Sequence, residues 1–552
     1  MLVTIDIEQK ILGTKHLFDG LKFSVGDNEK VAIIGRNGVG KTTLFRTLTG
    51  EDKDYSGSVV FRNGLRIVAT RQEHHDVGDQ TVLDYIVTNL PEYAELKHII
   101  DTYPETMGES MRKITQYSEA LERFSSLDYY TVDERVRRSL EDYQLGEMAE
   151  RPMRALSGGQ KRFVELIRVE HSDADLALID EPTNHMDYVA KAAFLKWFNS
   201  VKHAVVVITH DRDLLQSVER IIEIKDRQAF TFPGNYDAYL EQNASRTAAD
   251  LNEYDTVQRR IANVKKQIQY ARSKKASWGG TADKKNPFVV MEERLLKELK
   301  ELESQERPSF WIDQQSVAAL RPNLEESYQK HKAKSIRIRR LTQSERQRDL
   351  ISLDNVQAGY DRPLFEKLNV RIQTGDRLQL VGRNGVGKTT LVKTILAAQD
   401  TPRPATLQHG SIKLDSKLRI NTYEQEMSPE LLDMTLSQAI EHIYGLYDLP
   451  VSAEQTMRIL SDYLFDPYGE REQPVALLSG GQKARLQLIK LFANDPNLVI
   501  LDEPTNHLDL PSIEELESAL AQYKGALLYV SHDSYFARHI GGEQLAITAL
   551  AA

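Results

Sequence analysis

Two nine-residue stretches of this chain are identical, and each could hold a triphosphate: Gly35-Arg36-Asn37-Gly38-Val39-Gly40-Lys41-Thr42-Thr43 recurs residue for residue from Gly382 to Thr390. A glycine loop of this form between a strand and a helix points backbone N–H groups at phosphate oxygens. The Lys neutralises the terminal phosphates, and the hydroxyl after it ligates Mg²⁺. These roles fall on Lys41 and Thr42 in the first copy and on Lys388 and Thr389 in the second. The rest of the cradle is Gly35, Asn37, Gly38, Gly40 and Thr43, then Gly382, Asn384, Gly385, Gly387 and Thr390.

Each loop is followed at a distance by a short apolar run ending on an acidic pair, Asp180-Glu181 and Asp502-Glu503. Asp180 and Asp502 suit a water-mediated hold on Mg²⁺. Glu181 and Glu503 are then the candidate general bases that orient and activate an attacking water. The competing reading makes both Glu residues helix starters ahead of Pro. His210 and His532 follow the next apolar run and could touch the γ-phosphate, against the alternative of a buried core histidine. Ser157-Gly158-Gly159-Gln160 and Ser479-Gly480-Gly481-Gln482 read as helix N-termini with a capping Ser and exposed amides, a receptor for the γ-phosphate. Neither needs to reach its own glycine loop, so each is expected to serve the other nucleotide.

The elements that must position these groups are duplicated. From the signature Ser to the following Asp is 23 residues in both halves, and from the Glu to the later His is 29 in both. Equal spacing implies equal folding. Lys30–Ile34 and Arg377–Val381 read as strands entering the glycine loops, and Thr43–Leu48 and Thr390–Leu396 as the helices that leave them. The runs 175–179, 497–501, 204–208 and 526–530 are short, apolar and not alternating, as expected of buried parallel strands whose carboxyl ends face a site. The fold class is α/β, twice. Gln72 lies 85 residues before Ser157, but Gln425 lies 54 before Ser479, so the first half carries an insert. Its expected place is about 91–130, polar and helix-compatible, with eight acidic and four basic residues.

Residues 241–348 occur once. They hold 23 Lys and Arg against 15 Asp and Glu, whereas the rest of the chain holds 48 against 66. A positive segment between negative halves invites a polyanion, with a solvated helical spacer as the bland alternative. Tyr254, Val257, Ile261, Val264, Ile268 and Ala271 step by three and four, a heptad seam on a first arm of about 32 residues and ~48 Å. Met291, Leu295, Leu299 and Leu302 share a face of a second helix, from about Phe288 to Glu306, that Pro308 ends. The pattern predicts an antiparallel hairpin with the basic loop Lys274–Pro287, carrying Trp278, at its tip.

Zero cysteines remove disulfides, thiolate metal sites and iron–sulfur clusters. No run approaches the ~18 apolar residues that span a bilayer, and Met1–Lys10 lacks the apolar core of a signal peptide. The expected location is the cytoplasm, with no membrane domain.

Taken together, the glycine loops, Gln72 and Gln425, the repeated Leu-Ser-Gly-Gly-Gln, the Asp-Glu pairs and the later His resemble ATP-binding cassette ATPases. That resemblance implies P-loop cassettes at 1–240 and 349–552 joined by the 241–348 hairpin, paired head to tail within one monomer. It implies ATP and Mg²⁺ as cofactors. One ATP would lie between Gly35–Thr43 and Ser479–Gln482, with Gln72, Asp180, Glu181 and His210. The other would lie between Gly382–Thr390 and Ser157–Gln160, with Gln425, Asp502, Glu503 and His532. Gln72 and Gln425 would join the metal ligands, and Tyr360 would stack on adenine at the second loop, where the first half offers Leu12 and Gly13. More narrowly, fused cassettes with a long basic linker and Glu-Pro-Thr-Asn-His before Met-Asp or Leu-Asp resemble ABC-F proteins. That group implies binding at the ribosomal tRNA exit site, with the linker near rRNA, the peptidyl-transferase centre and the P-site tRNA, as a translation factor or an antibiotic-resistance protein. The alternative is the ATP-binding subunit of a membrane transporter.

Overall fold

The computed structural model describes residues 1–13, 15–71, 79–106, 108, 110–184, 186–277, 286–303, 336, 348–401, 404–424, 427–506 and 508–550. The first half opens with β1 (Val3–Leu12), whose alternation buries Val3, Ile5 and Ile7, and β2 (Lys15–Val25), paired antiparallel with Val3 opposite Val25. After β3 (Lys30–Gly35), β4 (Ser56–Phe61) joins β1 to complete a three-stranded sheet in the order β2-β1-β4. The main sheet adds β5 (Ile67–Ala69), β6 (Leu176–Asp180), β7 (Ala204–Ile208), β8 (Arg220–Lys225) and β9 (Gln228–Pro233), in the order β5-β6-β7-β3-β8-β9. It is parallel apart from the β8–β9 hairpin.

Every residue of β7 is buried, which is why its sequence is a continuous apolar run without alternation. Register then places the chemistry. Asp180 and Ile33 both stand opposite Ile208, so the first glycine loop, the Asp180-Glu181 pair and His210 emerge side by side at the carboxyl edge of the sheet.

The second half repeats this plan with β10 (Asp349–Ala358), β11 (Leu368–Gln373), β12 (Arg377–Val381), β13 (Leu407–Leu414), β14 (Ile420–Tyr423), β15 (Leu498–Asp502), β16 (Ala526–Val530) and β17 (Glu543–Ala546). The sheets run β11-β10-β13, antiparallel, and β14-β15-β16-β12-β17, parallel.

The insert is a pair of helices, Tyr93–Thr106 and Met111–Ser126. Their buried residues are Leu96, Ala120 and Phe124, so most of the pair is solvated, in keeping with its acidity. Aromatic packing fixes its root: Phe124 lies 5.5 Å from Tyr93, 5.4 Å from Tyr129 and 5.0 Å from Tyr130 between ring centroids. Arg123 grips Glu92 with two hydrogen bonds, of 2.8 and 2.7 Å.

Both halves cluster as one compact unit, Met1–Tyr236 with Ser335–Ala552, and Asp237–Lys334 forms a second. In the second unit the first arm belongs to a helix of 41 residues, Tyr236–Ala276, longer than the expected 32 because no Gly or Pro interrupts residues 235–278. It would span ~60 Å. The partner helix runs Pro287–Glu303, and Val264, Ile268 and Leu295 form the buried seam, flanked by Leu299 and Leu302. Arg272 and Lys275 both reach Glu292, at 2.7 and 2.9 Å, as an antiparallel pair requires. The tip residue Trp278 and the chain from 304 to 335 lie outside the described residues.

Candidate functional site

Steric need explains the glycines of both loops. A Cβ on Gly35 would sit 2.6 Å from the Ile224 carbonyl oxygen, and Gly40 and Gly387 hold φ of 104° and 106° with a Cβ that would meet the Phe18 and Phe365 rings at 2.9 Å. The helices Lys41–Leu48 and Lys388–Ala397 begin at these glycines without a side-chain cap, which leaves first-turn N–H groups for an anion.

Lys41 Nζ folds over its own loop, donating to the Gly35 carbonyl at 2.6 Å and the Arg36 carbonyl at 3.3 Å, with His210 Nε2 at 3.0 Å. Lys388 does the same to Gly382 and Arg383, at 2.7 and 3.1 Å. Burial lowers the pKa of both ammonium groups. Thr42 Oγ1 donates to Asp180 Oδ2 at 3.1 Å and Thr389 Oγ1 to Asp502 Oδ2 at 2.9 Å, placing one hydroxyl beside one carboxylate at each loop. Among the described residues no three His, Cys, Asp or Glu side chains form a group that could hold a metal ion. Each loop offers one hydroxyl and one carboxylate, a sparse oxygen set that would suit Mg²⁺. Gln72 and Gln425 lie outside the described residues.

Glu181 and Glu503 stand in the left-handed region, φ 46° and 47°, which is strained for a residue with a long side chain. Each is held there by donating its N–H to the end of the neighbouring strand, Ile208 at 2.8 Å and Val530 at 2.9 Å. Burial raises both carboxyl pKa values, that of Glu503 to about 7. His532, lowered to about 4 by burial and by Lys388, is neutral, and burial with Lys41 lowers His210 well below its ordinary value. His532 Nε2 lies 3.3 Å from Glu503 Oε1, yet both atoms are buried without a hydrogen bond, an unmet demand that a water or phosphate oxygen would answer. A carboxyl that ionises near neutrality beside a neutral imidazole suits proton uptake from water.

The signature stretches cap their helices as expected. Ser157 accepts the Gln160 N–H at 3.3 Å while Gln160 Oε1 accepts the Ser157 N–H at 2.9 Å, and Ser479 with Gln482 repeats the box at 3.3 and 2.8 Å. Each stretch faces the glycine loop of the other half. Arg36, Asn37 and Gly38 share a cavity of about 770 Å³ with Ser479, Gly481 and Gln482. Asn384 and Gly385 share one of about 440 Å³ with Ser157, Gly159 and Gln160. Gly480 is bare where a Cβ would press to 2.9 Å on Asn37 Nδ2, whereas Gly158 has open space. Thr43 and Thr390 sit in the first turns, their carbonyls accepting from Thr47 at 3.1 Å and Thr394 at 2.7 Å. Tyr360 is 64% exposed and does not line the second cavity; its carbonyl accepts from Gln408 at 2.8 Å.

Sequence reasoning gave no role to two aspartates that join the halves. Asp509 Oδ2 accepts the Asn37 N–H at 2.9 Å, and Asp187 Oδ2 accepts the Asn384 N–H at 2.8 Å. Each also caps its own helix, Tyr188–Ser200 or Leu510–Gln522. The available signal was an Asp repeated two residues after Asn-His, just before an apolar helix, with a second oxygen to spare. The halves also meet through the Arg212–Glu517 ion pair at 2.8 Å, Ser534 donating to Asp213 at 2.6 Å, and Gln216 donating to Tyr535 at 2.6 Å. Between the two sites a cavity of about 280 Å³ is lined by Glu181, His210, Lys191, Glu503, Asn506 and His532.

The ABC transporter family model matches residues 18–184 and 365–506, and a second ABC transporter model matches 222–317. The chain is 30% identical over 533 residues to the probable ATP-binding protein YheS of Escherichia coli strain K12, spanning 95% of this chain and 75% of that protein. It is 28% identical to the probable ATP-binding protein YbiT of E. coli O157:H7, spanning 99% and 96%, and 28% identical to ABC transporter F family member 5 of Arabidopsis thaliana, spanning 97% and 73%. Among solved structures, the archaeal ribosome recycling factor aABCE1, in complex with the ribosomal stalk protein aP1, shares the fold with a TM-score of 0.56 at 16% identity, over 98% of this chain and 87% of that one. The RNase-L inhibitor does so at 0.54 and 17%, over 97% and 88%. No described helix is long and apolar enough to cross a membrane.

Proposed function

The chain belongs to the ATP-binding cassette family and, within it, to the ABC-F group, and from that premise we propose that it is a ribosome-associated, Mg²⁺-dependent ATPase. The observation that carries the reading is the exchange of parts: each glycine loop faces the other half's signature helix and rests its Asn N–H on the other half's aspartate. A nucleotide in either cavity would therefore touch both halves, and its binding energy would favour their closure.

The residues divide the work as follows. Loop N–H groups and Lys41 or Lys388, released from the loop carbonyls, take the phosphate oxygens. Thr42 with Asp180, and Thr389 with Asp502, would hold Mg²⁺, which supplies positive charge against the leaving phosphates. Glu181 and Glu503 accept the proton of the attacking water, and neutral His210 and His532, 3.6 and 3.3 Å from those carboxylates, would contact the γ-phosphate. The signature Ser and Gln close over the γ-phosphate with helix N-terminal amides.

The basic hairpin of 241–348 is read as the effector that acts on rRNA and the P-site tRNA near the tRNA exit site and peptidyl-transferase region, as translation factor or ribosome protection protein. Its net positive charge suits a phosphate backbone, and the description of aABCE1 as a ribosome recycling factor supports the choice of partner. Glu181→Gln with Glu503→Gln should bind ATP without hydrolysing it and co-sediment with ribosomes in an ATP-dependent manner. If it pellets equally with and without ATP, or not at all, the reading fails. A drug-susceptibility panel with the 278–285 tip removed separates antibiotic protection from a general translation role.

A further inference from the structure

The two glycine loops are the same nine residues, yet the carboxylate each leans on is held differently. Asp187, which accepts the Asn384 N–H, is itself gripped by Gln144, whose Nε2 donates to Oδ1 at 3.1 Å and to Oδ2 at 3.0 Å. Gln144 belongs to the turn that ends the helix Val132–Asp142, so its amide links the helical region of the first half to the loop of the second. In the other half the same turn carries Leu464. Each residue follows a Tyr at a helix C-cap, Tyr143 or Tyr463, each is left-handed, with φ of 60° and 66°, and each precedes a residue bonded back to the helix, Leu145 to Leu140 and Phe465 to Leu460.

Leu464 has no polar side-chain atom to offer Asp509. Both carboxylates cap their own helices, Asp187 with the Val189 and Ala190 N–H groups at 3.1 and 2.9 Å and Asp509 with the Ser512 N–H at 3.0 Å, and where Asp187 has the Gln144 amide Asp509 has the Ser512 hydroxyl at 2.5 Å. The second half does clamp its helical region, through Arg485 on Glu515 at 2.9 and 2.8 Å and on the Leu464 carbonyl at 3.0 Å. That clamp grips the helix body, more than a turn beyond Asp509, and leaves the carboxylate to Ser512 and Asn37.

We propose that Gln144 is a positioning residue for the second glycine loop: its amide fixes the Asp187 carboxylate beneath the Asn384 N–H, a polar tie from the helical region of the opposite half that Leu464 cannot give the first loop. On the reading that these loops bind nucleotide, a turn of the first half's helical region would be passed to the second loop through this amide.

Hydrogen exchange of the full chain, read by mass spectrometry with and without Mg·ATP, tests this through peptides spanning Val31–Leu44 and Leu378–Leu391. The nine loop residues are identical, so their side chains add no difference, and each peptide of a variant is read against the same peptide of the unmodified chain. Without nucleotide, Gln144→Leu is expected to speed exchange in the second loop about tenfold, the size of a lost hydrogen bond to a charged group, and to leave the first loop unchanged. Gln144→Glu, which sets a second carboxylate against Asp187, should exceed that. Gln144→Asn, one methylene too short to span, should match Leu and decides the matter if Gln144→Leu fails to fold. No change in the second loop with either variant, or equal changes in both loops, overturns the proposal. If Mg·ATP protects neither loop of the unmodified chain, the nucleotide reading falls, but the comparison without nucleotide still decides the tie.

Discussion

Glu517→Ala should weaken the union of the two halves more than any exposed ion-pair substitution. Arg212 Nη1 lies 2.8 Å from the Glu517 carboxylate, and the two side chains are 7% and 5% exposed. Burial works against the guanidinium charge, but Asp533 and Glu517 outweigh it and hold the group protonated. Breaking a buried pair costs about 3–5 kcal/mol, because the remaining charge is stranded away from water. Asp533 stays beside Arg212, which argues for the lower end, about 3 kcal/mol, or on the order of a hundredfold in an equilibrium constant. An exposed pair such as Arg260–Glu298, at 53% and 31% exposure, should matter by less than about 1 kcal/mol.

The assay is urea unfolding of Glu517→Ala, Arg212→Leu and the double variant, arranged as a double-mutant cycle. The double variant should lose less than the sum of the singles, since it strands neither partner of this pair; the loss of Arg212 from beside Asp533 is common to Arg212→Leu and the double variant and leaves the coupling unaffected. A chain of several domains need not unfold in one step, and the affected transition should be the one in which both halves melt together. A loss below about 1 kcal/mol for Glu517→Ala, or strict additivity in the cycle, would refute the reasoning.

Other outcomes follow from the same structure. Gly387→Ala should lower stability by about 1–3 kcal/mol, from a φ of 106° and a contact of 2.9 Å with Phe365, whereas Gly385→Ala, at φ 80° with nothing within 4 Å, should cost less; thermal unfolding of the pair checks the order. Burial raises the Glu170 pKa from 4.5 to about 8, so the folded state keeps a proton that the unfolded state releases between those values. Stability should therefore fall as pH rises through that window, by at most about 1.4 kcal/mol per pH unit, and Glu170→Gln should flatten that fall in urea midpoints compared at pH values on either side of neutrality. Phe124→Ala removes the ring on which Tyr93, Tyr129 and Tyr130 converge and should loosen the 93–126 helix pair by about 3 kcal/mol, seen as faster proteolytic cutting between the two helices with ATP binding unchanged.

The duplicated motifs made the shared part of the molecule legible. Strands β3, β7, β12 and β16 fall within a residue of where apolar runs and glycine loops put them, because parallel strands covered on both faces are mostly apolar; in β12 the buried Gln379 is accommodated by donating to the Ser531 carbonyl. What duplication could not reveal was what differs between the copies. Arg212 and Glu517 sit at non-equivalent positions, and Gln144 and Leu464 share no side-chain chemistry, so no repeat points to their partners. The antiparallel sheets β2-β1-β4 and β11-β10-β13 were missed although β1 alternates from Val3 to Ile7, because alternation names no pairing partner and bulges, between Lys10 and Ile11 for instance, shift the register. The aspartates at 187 and 509 were visible as residues but silent as contacts, since their second partner comes from the far half of the chain.

In the roles proposed for Glu181 and Glu503, their left-handed backbone sets activity against stability. Glycine or asparagine would occupy φ 46° and 47° with less strain, so the residue that would make each site more comfortable is one that cannot take a proton from water. Replacing either glutamate by glycine should leave the chain more robust and inert, and screening variants for thermal resilience alone would drive this protein towards losing its chemistry.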